Sequence, residues 1–510
     1  MKHNRYLFLI IISLFSITVY AQKNKNIVTK NKLETAEIFA NNSRIIGYEY
    51  NFPGNVYYFK VNPFALMSVN VKTNGFFGQK SRMFIYDLQK DTLLWKIKNT
   101  SWDKITMLDN DIVFGIRYMD LRTGNIKYYL PNDIFFIDTV SNSGLGYKFS
   151  NPNVLMAVSL ETGKPIWHKN QEYAHYEKYT YYTDTSLFLV SNSGLHLLDL
   201  KTGNGWDLKK KSSRNSKEEI AKTAGLAALS VLAGIFTGFV YIPAGETSFR
   251  DIKSNALIES DLCYFASNDG IEKIDIATGN VIWSTNFEKN SSSKSQLFEY
   301  EDNIYMLNFG YAYLNNAPAF CGTAFIAGYD KLTGQQTFIH YFNKKEVMLN
   351  YCTKEDYICI NIGNRLYKFS FDDNSLIEEQ LPLLTPEARR VSVHFIAENQ
   401  YFIDDNGTFV DLSKQDFTSI YFLYDRKIYE IDEYFGIETV EEIAKIYALI
   451  YETADYKFIC DGNITIMLDN VGTAIAEIYT SSQITIKNDI IYYAKENSVY
   501  AIKLSDILDN

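Results

Sequence analysis

A short motif recurs along this chain: an apolar residue, a polar residue at a strand end, two further residues and then a Thr-Gly pair. Five copies can be read, at 119–124, 158–163, 198–203, 274–279 and 329–334. Self-similarity at intervals of about 40 residues indicates an array of small structural units that stack on one another. The repeat constrains the fold more than any other feature of the sequence.

The chemistry of one copy predicts a β-hairpin. Apolar residues flank the Asp and return shortly after the Gly, so two short strands are joined by the D-x-x-T-G segment. The Asp side chain can accept the free N–H groups of such a turn, and Gly supplies the positive φ that the connection needs. The turn glycines are Gly124, Gly163, Gly203, Gly279 and Gly334.

An aromatic residue follows each turn at a nearly constant offset. Eight residues after the polar position of successive units come Trp95, Tyr128, Trp167, Trp283 and Phe338, while Trp206 comes after seven. Large aromatic side chains dominate burial energetics. We therefore predict that Trp95, Trp167, Trp206 and Trp283 pack between neighbouring units and do not contact a ligand.

Residues 157–167 resemble the tryptophan-docking motif of the quinoprotein, or PQQ-like, β-propellers, A-x-D-x-x-T-G-x-x-x-W, with Ser159 in place of the Asp. The copy at 275–283 is similar but has Lys273 at the Ala position, and the copy at 330–338 has Gly328 there and Phe338 for Trp. The resemblance implies four-stranded blades around an axis, commonly eight, with the Trp of one blade docked on the next. It extends over most of the chain, more strongly from about residue 80 to 340.

The expected fold class is all-β: a closed β-propeller of four-stranded blades, eight or alternatively seven, forming one domain over 22–510. Weaker candidate blades follow at 366–372, 408–412, 427–432, 464–469 and 499–502. Because these exceed the expected number, we predict that some are inner strands of blades already counted. The 39 Tyr and 34 Phe provide ample material for a sheet-based core.

The amino terminus has the pattern of a signal peptide over 1–21. Lys2, His3 and Arg5 precede an apolar run, and 19–21 offers a small-residue cleavage site. No Cys lies near that site, so we expect an exported periplasmic or envelope-associated protein that is not a lipoprotein. An uncleaved amino-terminal anchor is the alternative.

A segment at 207–255 interrupts the repeat. It begins with a basic loop at 209–217 and continues with nineteen uncharged residues at 223–241, which we predict to be helical. A membrane span would place the two halves of the propeller on opposite sides of a bilayer, so packing on protein or shallow insertion at a membrane surface is favoured. The expected contact residues are Leu226, Leu229, Leu232, Ile235, Phe236 and Phe239. A capping box predicts a second helix at 440–451.

Enzyme signatures are few. The net charge of −10 argues against nucleic acid binding. The five cysteines contain no C-x-x-C pair, and the histidines lack metal-ligand spacing. The resemblance implies a calcium-held quinone and often an adjacent cysteine pair in catalytic members, but this chain lacks that pair. The acidic clusters at 109–111, 372–374 and 404–407 are read as turns. We therefore expect no cofactor, metal or catalytic residues.

Two functions of different class remain at this point. The sequence favours a non-catalytic exported propeller that binds an envelope protein, similar in kind to the propeller subunit of the outer-membrane barrel-assembly machinery, with possible membrane-surface contact through 221–245. The alternative is a quinoprotein-like or other enzyme with a site at the propeller axis.

Overall fold

The computed structural model of the chain describes residues 28–33, 47–75, 78–99, 105–171, 176–210, 212–215, 248–314, 317–343, 346–354, 356–362, 365–380, 394–396, 400–403, 409–411, 420–424, 427–431, 437–441, 445–479 and 483–508. Over these ranges the chain is built almost entirely of antiparallel β-strands, with one short helix at the carboxyl end. Sheets are numbered 1 to 10 below in the order in which the chain builds them.

The amino-terminal half contains two leading strands and sheets 1 to 4. The leading strands are β1 (Thr29–Leu33) and β2 (Gly47–Asn51). Sheet 1 contains β3 (Asn55–Val61), β4 (Leu66–Gly75), β5 (Gly78–Asp87) and β6 (Thr92–Asn99). Sheet 2 contains β7 (Ile105–Met107), β8 (Asp111–Phe114), β9 (Arg117–Asp120) and β10 (Ile126–Tyr129). Sheet 3 contains β11 (Asn132–Asp138), β12 (Ser143–Lys148), β13 (Val154–Ser159) and β14 (Pro165–Asn170), and sheet 4 contains β15 (Tyr176–Thr183), β16 (Ser186–Ser191), β17 (Gly194–Asp199) and β18 (Gly205–Lys209).

The middle of the chain contains sheets 5 to 7 and two short accessory pairs. The first accessory pair is β19 (Arg214–Asn215) with β20 (Ser248–Phe249). Sheet 5 contains β21 (Leu257–Glu259), β22 (Leu262–Ala266), β23 (Gly270–Asp275) and β24 (Val281–Asn286). Sheet 6 contains β25 (Ser295–Tyr300), β26 (Asn303–Asn308), β29 (Phe325–Asp330) and β30 (Gln336–Tyr341), with the hairpin β27 (Tyr311–Leu314) and β28 (Ala317–Phe320) between its second and third strands. Sheet 7 contains β31 (Met348–Thr353), β32 (Tyr357–Ile362), β33 (Arg365–Ser370) and β34 (Leu376–Gln380).

The carboxyl-terminal part contains sheets 8 to 10. Sheet 8 contains β35 (His394–Phe395), β38 (Ile420–Tyr424), β39 (Lys427–Ile431) and β40 (Ile437–Glu441). Sheet 9 contains β41 (Tyr447–Glu452), β42 (Tyr456–Cys460), β43 (Ile464–Asp469) and β44 (Ala474–Tyr479), extended by β36 (Gln400–Ile403) and β37 (Phe409–Asp411). Sheet 10 contains β45 (Ile484–Lys487), β46 (Ile490–Lys495) and β47 (Ser498–Lys503), and helix α1 (Leu504–Leu508) follows.

The Thr-Gly turns have the structure that their sequence predicts. In each, the polar residue ends the third strand of a sheet and the glycine follows four residues later in the left-handed region, with φ between 69° and 74°. Asp199 Oδ1 accepts the Thr202 backbone N–H and hydroxyl, both at 2.7 Å. The same carboxylate accepts the Lys201 N–H at 3.1 Å. One carboxylate therefore replaces the missing backbone partners of the turn.

The sheets pack face to face in chain order. Buried apolar side chains form a separate cluster at most junctions, for example Leu66, Met83 and Ile85 of sheet 1 with Ile112 and Phe114 of sheet 2. Corresponding clusters join sheets 2 to 7 in succession, sheet 8 to sheet 9 and sheet 9 to sheet 10. The first strands of sheets 7 and 8 are in contact. The core is therefore distributed between sheets and does not occupy a single centre.

The two ends of the chain share one sheet. Strand β2 pairs with β47, so that Tyr48 lies opposite Ala501 and Tyr50 opposite Val499, and β1 pairs on the outer side of β2. Sheet 10 also packs on sheet 1 through a buried cluster that includes Tyr50, Phe59, Val69, Phe84 and Val499. The last sheet is thus completed by the amino-terminal strands and contacts the first.

Two expectations differ from the structure. The described residues form ten sheets of four or more strands, where we expected eight or seven blades, because the weak segments at 366–372, 427–432, 464–469 and 499–502 each belong to a sheet of their own. The helix predicted at 440–451 is wrong: β40 ends at Glu441 and β41 begins at Tyr447. Cross-strand pairing of β41 with β42 overrides the local capping pattern there.

Candidate functional site

The predicted aromatic residues lie at the junctions between sheets. The indole Nε1 of Trp167 in sheet 3 donates to the Leu200 carbonyl of sheet 4 at 2.8 Å. Trp95, Trp206 and Trp283 make the same bond to the carbonyls of Leu121, Ile276 and Lys331, at 2.8, 2.8 and 3.0 Å. In every case the acceptor is the residue directly after the turn Asp of the next sheet. Each indole thereby satisfies its polar atom while its ring covers the turn.

The turn glycines also make room for these rings. A Cβ on Gly203 would lie 2.6 Å from atoms of Trp167, and a Cβ on Gly124, Gly279 or Gly334 would lie 2.4–2.7 Å from the indole of the preceding sheet. At Gly163 the neighbour is Tyr128, at 2.5 Å. Positive φ and close approach of an aromatic ring therefore both require glycine at this position.

The shorter offset of Trp206 has a structural cause. In sheet 3 the pairing of β13 with β14 shifts register between Ala157 and Val158, which inserts one residue as a β-bulge. In sheet 4 the pairing of β17 with β18 is continuous, so that Leu197 lies opposite Trp206 without a bulge. The missing residue of the motif is the bulge residue, and the indole reaches an equivalent position.

The strands that flank residues 216–247 are paired with each other. Arg214 pairs with Phe249 and Asn215 with Ser248, so the chain leaves and returns at adjacent strands. Arg250 then bridges to Tyr313 of the β27–β28 hairpin. A small buried cluster beneath these strands contains Phe249, Ile252, Ala312, Leu314, Ala319 and Cys321. The insert therefore begins and ends on a packed accessory layer, which we call the insert root (212–215, 248–254 and 311–321).

A buried cation fastens the insert root to the sheets. The Arg214 side chain donates to the Ser292 carbonyl at 3.1 Å and to Cys321 Sγ at 2.9 Å. Close by, the buried Lys253 amine lies 2.6 Å from Glu177 Oε2 and 3.2 Å from the Ser191 carbonyl. Buried charges are tolerated only when they are paired and hydrogen-bonded. These contacts fix the geometry of the root relative to sheets 4, 5 and 6.

The first strands of neighbouring sheets converge. Contacts join β21 to β25, β31 to β35, β41 to β45 and β45 to β3. Three consecutive sheets, 10, 1 and 2, together line one cavity of about 480 Å³ through residues 58–63, 107–109 and 483–487. The residues that line this space lie on, or directly next to, the first strand of each of the three sheets.

The cavity wall carries both apolar and charged side chains. Lys60, Lys487 and Asp109 contribute charges, and Tyr58, Met107 and Ile484 contribute apolar surface. Asn62 joins two of the sheets, because its Nδ2 donates to the Asp109 carbonyl at 3.2 Å and its Oδ1 accepts the Leu66 N–H at 2.9 Å. Apart from Asp109, which belongs to the acidic cluster read as a turn, these residues were not predicted, since they belong to no motif and come from distant parts of the chain.

Sheet 4 contains a Ser-His-Asp relay. Ser191 Oγ lies 2.8 Å from His196 Nε2, and His196 Nδ1 lies 2.7 Å from Asp207 Oδ1. The His196 contact is the main cause of a lowered Asp207 pKa. Ser191 is fully buried, and its Oγ also lies 3.1 Å from the Gly194 carbonyl. A substrate carbonyl has no access to this hydroxyl, so the relay ties together the last three strands of the sheet.

The acidic clusters read as turns lie within contacts between strands and sheets. Asp111 pairs with Lys127 at 2.5 Å and accepts the Tyr118 hydroxyl at 2.9 Å. Asp372 accepts the hydroxyl of Tyr300 from the neighbouring sheet. The cluster at 404–407 lies outside the described residues. Within the described part of the chain, no group of three or more His, Cys, Asp or Glu side chains is placed to hold a metal ion.

Several predicted positions are not described. The signal peptide at 1–21, the helix at 223–241 and the contact residues Leu226, Leu229, Leu232, Ile235, Phe236 and Phe239 all lie outside the described ranges. Among the residues that are described, no helix has the length and apolar character needed to cross a bilayer.

No protein-family model matches the sequence, and no curated protein matches it. Among solved structures, the chain is similar to BamB from Moraxella catarrhalis, with 11% identity over 78% of this chain and 96% of that chain and a TM-score of 0.29. It is similar to KlHsv2 with loop 6CD replaced by a Gly-Ser linker, with 7% identity over 76% of this chain and 97% of that chain and a TM-score of 0.27. It is also similar to the C-terminal WD40 domain of Sif2, with 9% identity over 94% of this chain and 98% of that chain and a TM-score of 0.30. Values this low assign no family.

Proposed function

We propose that this chain is an exported, non-catalytic β-propeller that serves as a binding platform for a protein of the cell envelope, and that the apolar insert attaches it to that partner. In this proposal the ten sheets are blades of one closed ring. Cleavage after residue 21 would release the mature chain on the exported side of the membrane.

Packing between sheets supports the ring. Successive sheets share buried clusters, and the chain ends meet in sheet 10, which also packs on sheet 1. A ring whose last blade is completed by the first strands leaves only short sheet edges exposed. Such a body presents loops on two faces, and these loops are free to vary without loss of the core.

The insert root is the observation that carries the proposed function. The chain departs at Asn215 and returns at Ser248, next to each other on a layer fastened by the buried Arg214. Between them, residues 223–241 carry no charged side chain. A long apolar segment held at both ends by a rigid base is suited to attachment, because large apolar surfaces on soluble proteins mark interaction sites.

The course of the chain puts the insert root at one end of the strands. The Thr-Gly turns connect third to fourth strands, whereas the insert root lies at the opposite ends of the strands, in the link from sheet 4 to sheet 5 and in the hairpin between the second and third strands of sheet 6. The two faces therefore differ: one carries the repeated turns, and the other carries the root of the insert.

Deletion of residues 221–245 tests the proposal. We expect the shortened protein to keep its free energy of unfolding, because the paired root remains, and to lose its co-purification with envelope proteins. Replacing Leu226, Leu229, Leu232, Ile235, Phe236 and Phe239 by Ser should have the same effect without shortening the chain. The matched control replaces Lys211 and Lys217 by Gln, because these lysines belong to the basic loop, whereas Lys210 is paired with Glu272. Unfolding of the deletion variant, or unchanged envelope association of both insert variants, would contradict the proposal.

A further inference from the structure

We propose that the cavity between sheets 10, 1 and 2 binds a small organic anion, a carboxylate or a phosphate ester. This site is separate from the insert and does not depend on the platform function. Its volume of about 480 Å³ lies within the range of pockets that enclose small ligands.

Two lysines provide the positive charge. Lys60 lies on β3 and Lys487 on β45, and both line the cavity. Within the described residues, neither amine takes part in a hydrogen bond or an ion pair, whereas Lys127, Lys253 and Lys331 are all paired with carboxylates. Two unpaired ammonium groups around one concave space favour an anion, because charge-assisted hydrogen bonds to carboxylate or phosphate are the stronger kind.

Among the described residues of the wall, Asp109 is the single carboxylate, and it limits the charge of the ligand. Asp109 also lines the cavity, so the lysines and Asp109 together leave an excess of one positive charge. This balance suits a ligand with one anionic group and polar substituents better than a polyanion, since a second anionic group would meet the Asp109 carboxylate without a further cation.

The remaining wall residues provide a fixed amide and apolar surface. Gln483 lines the cavity and donates from Nε2 to the Tyr57 carbonyl at 2.7 Å, which fixes the orientation of its amide. Its Oε1 is buried and has no hydrogen-bond partner within the described structure. That oxygen has no accessible surface, so a ligand in the cavity does not reach it, and the polar contacts to the ligand come from the two lysines. The apolar side chains of Met107 and Ile484 can cover the carbon skeleton.

The position of the cavity connects binding to the joining of the chain ends. Residues 58–63 follow the amino-terminal strands, and 483–487 open the last sheet. A ligand that contacts both should stabilise the folded state by mass action, because it binds only when sheets 10 and 1 are in place. Binding can therefore be measured as a rise in the thermal unfolding midpoint.

The test uses calorimetric titration and thermal unfolding of the full chain with four probes: glucose 6-phosphate, gluconate, inorganic phosphate and glucose. We expect glucose 6-phosphate or gluconate to bind, neutral glucose not to bind, and inorganic phosphate to bind more weakly than the organic anions, because it has no carbon skeleton to contact Met107 and Ile484. Comparing glucose 6-phosphate with gluconate distinguishes a phosphate ester from a carboxylate as the preferred class. Affinity should fall as sodium chloride is added.

Variants assign the binding to this cavity. Lys60→Gln combined with Lys487→Gln should weaken binding about tenfold or more, because two charge-assisted contacts are removed. Lys178→Gln is the matched control, since Lys178 is an exposed lysine on the first strand of another sheet. If neither organic anion binds, or if the double lysine variant binds as tightly as the parent, the proposal is overturned.

Discussion

At the scale of single residues, the Asp-x-x-Thr-Gly turn combines two functions in five positions. Asp275 Oδ1 accepts the Thr278 N–H at 2.8 Å and its hydroxyl at 2.7 Å, which closes the turn. The carbonyl next to that Asp, on Ile276, accepts the Trp206 indole of the preceding sheet. The glycine contributes to both functions: its positive φ shapes the turn, and its lack of a side chain leaves room for the indole. The same short segment therefore closes one sheet and provides the docking surface for its neighbour.

We predict that Gly203→Ala strongly destabilises the protein. The new Cβ would lie 2.6 Å from Trp167 at a φ of 74°. The left-handed backbone costs about 1 kcal/mol or more for alanine, and overpacking costs about 1–3 kcal/mol in addition. Urea unfolding at neutral pH measures the change.

Gly462→Ala is the matched control for that variant. Gly462 also has a positive φ, of 103°, but a Cβ there would meet no atom within 4 Å. Gly462→Ala should therefore lose only the part of the free energy of unfolding that the left-handed backbone costs. Equal losses for the two alanine variants would show that contact with the indole contributes nothing, and would contradict the docking account.

Acid should weaken the turns. The pKa of Asp275 is lowered, first by the Thr278 hydroxyl and then by backbone N–H groups. A carboxylate with a lowered folded-state pKa stabilises the protein above its unfolded pKa of about 4, and the stabilisation is lost as the pH falls further. We expect Asp275→Asn to be less stable than the parent at pH 7 and to approach it near pH 3, in urea unfolding at both pH values. A difference that stays constant with pH would refute this.

Sequence alone identified much at this scale. The turn residues and the aromatic residues that follow them could be found because all of them lie within one repeat of the sequence. The carbonyl that accepts the indole N–H could not be predicted, because it belongs to the next unit. It lies 26 residues further along the chain for Trp95 and 70 residues further for Trp206. Nor could the Ser191 and His196 relay, whose members have no spacing that distinguishes them from ordinary strand residues.

At the scale of elements, strand pairing decides what local propensity leaves open. The residues at 447–452 follow a helix-like capping pattern, yet they form β41 because β42 and β36 pair with its two edges. The offset of Trp206 illustrates the same point, since a continuous pairing replaces the bulge found in sheet 3. Element boundaries therefore depend on neighbours that a single repeat does not contain.

The insert root provides a prediction at this scale. Arg214→Met leaves the Ser292 carbonyl and Cys321 without the guanidinium donor in a buried site. Loss of one partner from a buried, charged hydrogen-bonding group costs about 2–4 kcal/mol. Chemical denaturation monitored by tryptophan fluorescence would record this loss.

Arg365→Met controls for removal of an arginine. Arg365 pairs with Glu378 at 2.8 Å, but both side chains are exposed. Surface ion pairs contribute about 1 kcal/mol or less. If the Arg365 variant lost as much stability as the Arg214 variant, the root would not be the fastened base that the proposed function requires.

At the scale of the whole molecule, the repeated sheets are joined to one another in chain order. The repeat predicted the sheet type and the order of docking, because both follow from local chemistry. The number of sheets could not be counted from sequence, since the later turns lack the Thr-Gly pair: Asn374 at a φ of 57° takes the glycine position in sheet 7. The cavity was equally hidden, because its wall combines residues 58–63 with 483–487.

Pairing of the two chain ends is the element on which a ring depends. Tyr48 and Ala501 lie directly opposite on β2 and β47. Directly opposed Cα atoms in antiparallel strands are about 4.5–5.5 Å apart, a separation that a disulfide can bridge. Tyr48→Cys together with Ala501→Cys therefore reports on closure, and Tyr48→Cys with Lys178→Cys is a control in which the second cysteine lies on sheet 4.

Oxidation of these double variants, followed by mass spectrometry of the folded monomer, tests the ring most directly. The account predicts a peptide cross-linked within one chain between positions 48 and 501, and no such link between 48 and 178. A folded monomer that stays reduced at 48 and 501, or a 48–501 link formed only between two chains, would contradict it.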